Sequence, residues 1–170
     1  DPDYGYYQTR DPFGTTGDFI TAPEISGLFG EMCGLYLAHI FELSGLQDPA
    51  IFELGPGRAS LITDMRHVWQ HVMPSLTTAP VHLLETSFLL RSMQQDRLSD
   101  VTLFFHENLD HLPAQPIFAI ANEFFDALPV AQAILRQDAN DADGVWRHRL
   151  VGLIDGKLGF VEGSPLRPED

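Results

Sequence analysis

The stretch Ile51-Phe52-Glu53-Leu54-Gly55-Pro56-Gly57-Arg58-Ala59-Ser60 constrains this chain more than any other. Residues 50–52 and Leu54 are apolar with little polar relief, as in a parallel strand covered on both faces. Gly55 and Gly57 then let the chain turn sharply and bring bare backbone close to a ligand. From Ser60 onward, Leu61, Ile62, Met65, Val68, Trp69 and Val72 recur at helical spacing. Strand, glycine turn and helix form the first half of a nucleotide-binding βαβ unit.

Two acids narrow the ligand class. Glu53 lies two residues before Gly55, at the carboxyl end of the strand. A pyrophosphate held on that turn would be repelled by it, whereas a ligand bearing an ammonium or sulfonium would be attracted. S-adenosylmethionine carries both cations and no phosphate. Glu85 ends the next predicted strand, residues 81–84, where an acid can accept both hydroxyls of an adenosine ribose. The plainer alternatives are a solvated strand-end acid at Glu53 and a helix cap at Glu85.

The 170 residues make one folded region with enough apolar content, 44%, to bury a core. Ten basic residues against twenty-four acidic ones give a net charge of −14, which repels nucleic acid and draws in basic peptides or small cations. The single Cys33 excludes an internal disulfide and fits a reducing compartment. No apolar run is long enough to span a bilayer, and no signal peptide is visible. The chain opens at Asp1 without a methionine, which leaves room for a lost leader.

Residues 1–17 are turn-rich and read as an arm that needs a surface to lie on. Thr21 and Glu24 form a capping box, with Asp18 just ahead of it, for a helix reaching about Leu43. Its apolar stripe is Ile25, Leu28, Phe29, Met32, Leu35, Tyr36, Ile40 and Leu43. Gly27, Gly30 and Gly34 repeat at spacings of three and four, which predicts close packing of another backbone there. The helix after the glycine turn stops at Pro74. His67 and His71 lie four apart on it, but the acid of a metalloprotease pattern is missing, so no metal role is expected.

Thr86 and Ser87 cap a third helix with Phe88, Leu89, Met93 and Leu98 as apolar positions. A third strand, residues 101–105, exits through His106, Glu107 and Asn108, which places Glu107 or Asn108 to meet an adenine edge. The fourth strand, residues 116–121, exits into Asn122-Glu123-Phe124-Phe125-Asp126-Ala127-Leu128-Pro129. Core packing accounts for a phenylalanine there but not for the acids. Glu123 and Asp126, three apart, would share a face of a helical turn. Beyond Val130 the pattern becomes a β-meander, with Asp155-Gly156 as its hairpin signal. Four parallel strands followed by a meander make an incomplete doubly wound sheet, so a piece of a longer protein is expected.

Three motifs in order carry a resemblance. Residues 17–26 with Phe29-Gly30-Glu31, then Glu53-Leu54-Gly55-Pro56-Gly57-Arg58, then residues 122–129 closely resemble the MidA-like family of class I S-adenosylmethionine-dependent methyltransferases. The match takes in nearly the whole chain. It implies an α/β fold, the N-terminal part of a doubly wound Rossmann-like sheet with an appended meander. The expected organisation is an arm and helix over 1–49, a cofactor-binding core over 50–129 and a meander over 130–170. Mitochondrial members are protein arginine methyltransferases needed for assembly of respiratory complex I, and bacterial members are similar. The resemblance therefore implies a protein arginine acceptor, as in a respiratory complex subunit, and a bacterial cytoplasmic or mitochondrial matrix location.

Three positions depart from the family pattern. Ala59 replaces a third glycine, where its methyl falls near the methionine end of the cofactor. Phe105 replaces a tryptophan, and Gly27 a glutamine. The cofactor-side candidates are Glu53, Gly55, Gly57, Arg58, Glu85, Glu107 and Asn108. Glu123 and Asp126, oriented by Asn122, are the candidates for holding a guanidinium and taking its proton. Two rivals stand beside this reading. One is an NAD-dependent oxidoreductase, which Glu53 disfavours. The other is a binding or assembly module that kept the fold without turnover.

Overall fold

The computed structural model describes residues 22–138 and 141–167. The Tyr-rich opening segment, Asp18 and Thr21 lie outside the described residues, as does the side chain of Glu24. The capping box therefore falls there too. Two compact units divide between Phe125 and Asp126.

The first unit begins with a short helix α1 (Ala22–Ile25) and a long helix α2 (Gly27–Ser44). One continuous helix was expected, but Ser26 breaks it with an extended backbone and caps α2 by accepting from the Leu28 N–H at 3.2 Å. Gly45, at φ +62°, closes α2 in the left-handed conformation that terminates many helices. Strand β1 (Ala50–Leu54) follows, buried at every position, and leads to helix α3 (Ser60–Val72). Pro74 ends α3 as expected and also starts the one-turn helix α4 (Pro74–Thr77). Next come β2 (Val81–Leu84), α5 (Phe88–Arg97), β3 (Leu103–His106) and β4 (Ile117–Ile120).

All three strand pairings are parallel, and the sheet order is β3-β2-β1-β4. The chain steps outward from β1 to β2 and β3, then returns to pair β4 on the other side of β1. The direction of winding reverses there, and ligands of open α/β sheets bind beside such a reversal. The core forms where Ile51, Val81 and Leu83 from the sheet meet Ile62, Met65 and Trp69 of α3.

The glycine repeat in α2 does what its spacing predicted. A Cβ on Gly34 would lie 2.9 Å from the Met65 Cα, and one on Gly30 would lie 2.5 Å from the Asp64 Cβ. Bare backbone lets α2 and α3 touch, and the Trp69 indole N–H donates to the Gly34 carbonyl at 2.8 Å. The small-residue side of α2 thus packs on α3, while Ile25, Leu28, Met32, Tyr36 and Leu43 of the apolar stripe are exposed. The third helix differs similarly. Phe88 and Leu89 are exposed, and the buried row is Leu90, Gln94 and, just past the helix, Leu98.

Between α3 and the start of β3, the buried Arg66 makes a two-pronged contact with Asp100, 3.0 Å on each prong. That contact holds the Asp100 carboxyl below its ordinary range. Across the strands, Phe52, His82 and Phe104 stand in register. Their rings lie nearly parallel, with His82 stacked on both neighbours. His82 Nδ1 is 2.8 Å from His106 Nε2. Burial first, and then the neighbouring His106 for His82 and His111 for His106, lowers the pKa of both rings.

The second unit is the antiparallel sheet β5-β6-β7, with β5 at Gln132–Asp138, β6 at Asp141–Ile154 and β7 at Lys157–Pro165. The Asp155-Gly156 turn joins Ile154 to Lys157 with φ of +50° and +77°, the mirror-image turn that matches strand twist. No helix among the described residues is long and apolar enough to cross a membrane.

Candidate cofactor site at the sheet reversal

Because the four strands run parallel, their carboxyl ends share one edge of the sheet. Glu53 and Gly55, Glu85, Glu107, and Asn122 with Glu123 therefore emerge on the same side. The glycine turn is strongly bent: Gly55, Gly57 and Ala59 all take positive φ, at +64°, +54° and +59°. An L side chain in that region costs about 1–2 kcal/mol, which explains a glycine pattern at these positions. Ala59 bears the cost. Its methyl was expected near the methionine end of the cofactor, but the residue is 0% exposed and its side chain belongs to the hydrophobic core.

Glu53 is 3% exposed, and its Oε2 has no hydrogen-bond partner among the described residues. Burial alone pushes its carboxyl up to about 8. It is not a solvated strand-end acid. An unpaired buried carboxyl is expensive to keep, and a cation arriving beside it would stabilise the ionised form. The bare Cα of Gly55 faces the Phe124 ring, since a Cβ there would come within 2.7 Å of Phe124 Cδ2. An aromatic ring therefore walls one side of the turn. The residue signal that could have found it is the Phe pair after β4.

Glu85 is also buried, and both its oxygens have partners. Oε1 accepts from the Ser87 N–H at 2.8 Å, and Oε2 from Gln94 Nε2 at 3.3 Å. The helix-start role is thus real, yet a carboxylate has four acceptor sites, so capacity remains for a ligand. Burial raises its pKa, while the Ser87 and Gln94 hydrogen bonds and the Arg91 charge work the other way.

Gln94 is the residue that sequence reading missed. It is 0% exposed, and its Nε2 also donates to the Gly57 carbonyl at 2.6 Å. The visible signal was a polar residue four positions from Leu90 and four from Leu98, inside a buried row. Three residues on, Arg97 donates to the Arg58 carbonyl at 3.0 Å and to the Ser60 hydroxyl at 2.8 Å. Helix α5 thereby braces the glycine turn. Arg91 ties together the other end: its guanidinium donates to the Glu85 carbonyl and pairs with Glu107 at 3.4 Å. Glu107 is well exposed, and the Asn108 side chain accepts from the Asp110 N–H at 3.1 Å in a local turn.

Glu123 follows β4 in a left-handed backbone, at φ +51°, and its Oε1 accepts from the Ala22 N–H at 3.4 Å. This conformation corrects the helical-turn reading. Glu123 lies before the 3-10 turn Phe125–Ala127, so helical spacing does not put it on a shared face with Asp126. A non-glycine residue held in that region is strained, and such strain collects at working sites.

Residues 32–169 match a family model described as "Putative S-adenosyl-L-methionine-dependent methyltransferase". The Drosophila melanogaster protein arginine methyltransferase NDUFAF7 homolog, mitochondrial, is 33% identical over 89% of this chain and 38% of its own length. The human protein arginine methyltransferase NDUFAF7, mitochondrial, is 33% identical over 99% of this chain and 43% of its own. Among solved structures, a COG1565 superfamily member from Burkholderia thailandensis, bound to S-adenosyl-homocysteine, superposes with a TM-score of 0.63. It is 26% identical and is matched over 94% of this chain and 41% of its own. The chain thus spans about two-fifths of the length of these relatives. With the sheet order, the glycine turn and the motif order in agreement, the chain belongs to the MidA-like family of S-adenosyl-L-methionine-dependent methyltransferases.

Proposed function

We propose that this chain carries the donor half of a protein arginine methyltransferase and binds S-adenosylmethionine at the carboxyl ends of β1 and β2. One observation carries the reading: a buried Glu53, its Oε2 without a partner among the described residues, beside a left-handed glycine turn at the sheet reversal. That arrangement suits a cation and opposes a pyrophosphate, which sets it against an NAD-dependent oxidoreductase. The names of the relatives support the acceptor class.

When bound, the cofactor supplies an activated methyl on sulfur and a good leaving group. The protein's part is alignment and exclusion of water. Glu53 would hold the cationic methionine end, with Gly55, Gly57 and Arg58 shaping the turn beneath it. Glu85 would accept the ribose hydroxyls, and Glu107 or Asn108 would meet the adenine. On the acceptor side, Glu123 would hold a guanidinium and take its proton once the methyl has moved, with Asn122 orienting. A subunit of a respiratory complex is the proposed acceptor. The compartment follows from the source of the chain: bacterial cytoplasm or mitochondrial matrix.

Calorimetric titration of S-adenosylhomocysteine into the full-length protein and its Glu53→Gln variant tests the cofactor site. The expected result is tenfold or greater weakening, about 1.4 kcal/mol or more. Equal affinity in the two proteins rejects the assignment. For the acceptor side, Glu123→Gln should cut methyl incorporation into a subunit peptide at least about a hundredfold, a loss typical for a general base. Cofactor affinity should be unchanged. A variant that instead loses the cofactor places Glu123 on the donor side.

A further inference from the structure

The geometry points to Gln94 as the positioning residue that couples the glycine turn to the ribose-side carboxylate and sets the pH range over which the cofactor site works. This rests on the donor-site reading above, in which Glu85 accepts the ribose hydroxyls.

Gln94 touches both halves of that site from below and faces no solvent. One amide nitrogen serves two acceptors on different elements: the Gly57 carbonyl at 2.6 Å and Glu85 Oε2 at 3.3 Å. Its own Oε1 is buried without a partner among the described residues. A buried unsatisfied carbonyl costs about 1–3 kcal/mol, so an apolar side chain of similar shape would serve the core better. A residue that earns nothing by packing is best explained by what its N–H groups do. They fix the Gly57 peptide and orient the Glu85 carboxylate against each other, across 37 residues of sequence to the turn and nine to the acid.

The second consequence is electrostatic. Glu85 must be ionised to accept from two hydroxyls. Burial opposes this, and donation from Gln94 favours it. Other groups face Glu85 as well. The Ser87 N–H donates to Oε1, and Arg91 contributes the nearest positive charge while its N–H groups engage the Glu85 carbonyl. Arg91 is in turn paired with Glu107. From β3, the His106 carbonyl accepts from the Glu85 backbone N–H, and its ring, whose pKa is lowered by burial and by His111, lies against His82. None of these contacts passes through Gln94, so removing its amide isolates one contribution. With donation lost, the Glu85 pKa rises, and cofactor binding that needs the carboxylate fails at a higher pH.

The test is titration of S-adenosylhomocysteine into full-length wild-type protein and Gln94→Met from pH 5.5 to 8.5. Gln94→Leu serves as the second variant, since it also removes the amide while keeping an apolar side chain of similar size. The quantity to follow is the ratio of wild-type to variant affinity at each pH, in which Glu53 and the cofactor's own titration cancel. For Gln94→Met the ratio should be within about threefold at pH 8.5 and grow to about tenfold at the acid end, the effect of roughly one pKa unit. Gln94→Leu should show the same trend. A ratio that is constant with pH in the variants that fold would make Gln94 a packing residue and overturn the inference. Absence of binding by wild type would instead reject the donor site itself, and the two failures are therefore separable.

Discussion

The two units handle apolar side chains in opposite ways. In the first, the sheet and α3 trap Phe52, Ile62, Met65, Trp69 and Leu83 almost completely. In the second, Trp146, Val151, Leu153, Leu158 and Phe160 are all exposed, and none of the meander's described residues is among the buried hydrophobics. Aliphatic content does not separate them, since both contain several Leu and Val. What separates them is layering. A parallel sheet must route its crossovers through helices, which then cover it. A three-stranded meander brings no helix and leaves its faces open. Its organised features are polar or cationic instead: Arg136 donates to Glu162 at 2.7 Å, and the Arg149 guanidinium lies 3.8 Å from the Phe160 ring centroid. The candidate cofactor site belongs to the first unit, where Glu53 is buried and its Oε2 has no partner among the described residues.

That contrast can be tested by truncation and by charge. Trp69→Ala should cost the most, about 3–5 kcal/mol, because it opens a cavity and removes the indole hydrogen bond to the Gly34 carbonyl. Urea unfolding reads it directly, and a loss under 1 kcal/mol would contradict the packing described. Glu53→Gln should act in the other direction in the absence of cofactor. The folded-state carboxyl is raised to about 8 against an ordinary value of 4.5. The wild type therefore loses stability as pH rises through that window, and the glutamine variant does not. The variant should match wild type near pH 5 and exceed it by on the order of 3 kcal/mol at pH 9. Thermal melts across pH check it, and parallel curves would mean that Glu53 has a partner or reaches water. Leu158→Ala in the meander should be nearly silent, within about 0.5 kcal/mol, as for an exposed site. A larger loss would show that this face is covered in the full-length protein.

Much of the first unit was legible because its signals are local. The apolar run before Gly55, the helical period after Ser60 and the stop at Pro74 each reflect one element's own geometry. The glycine repeat of α2 was readable as a close contact because nothing else rewards three glycines in a helix. The wrong inferences came where a side chain's direction depends on a neighbour. The apolar stripe of α2 lies away from α3, since the glycines, not the large residues, permit the approach. Phe88 and Leu89 looked like core, yet the buried row of α5 runs through Gln94. Spacing put Glu123 and Asp126 on one face, but the left-handed backbone at Glu123 breaks that phase.

The sequence by itself determined the order of elements, the family and the residue types gathered at the strand ends, because periodicity, turn chemistry and motif order are properties of the chain alone. Tertiary structure decided the rest. It set that Glu53 is buried, which ring lies against Gly55, that the Ala59 methyl sits in the core and that Gln94 joins two segments far apart in sequence. Those are matters of solvent access and of contacts between distant residues, and both exist only once the sheet and its helices have closed on each other.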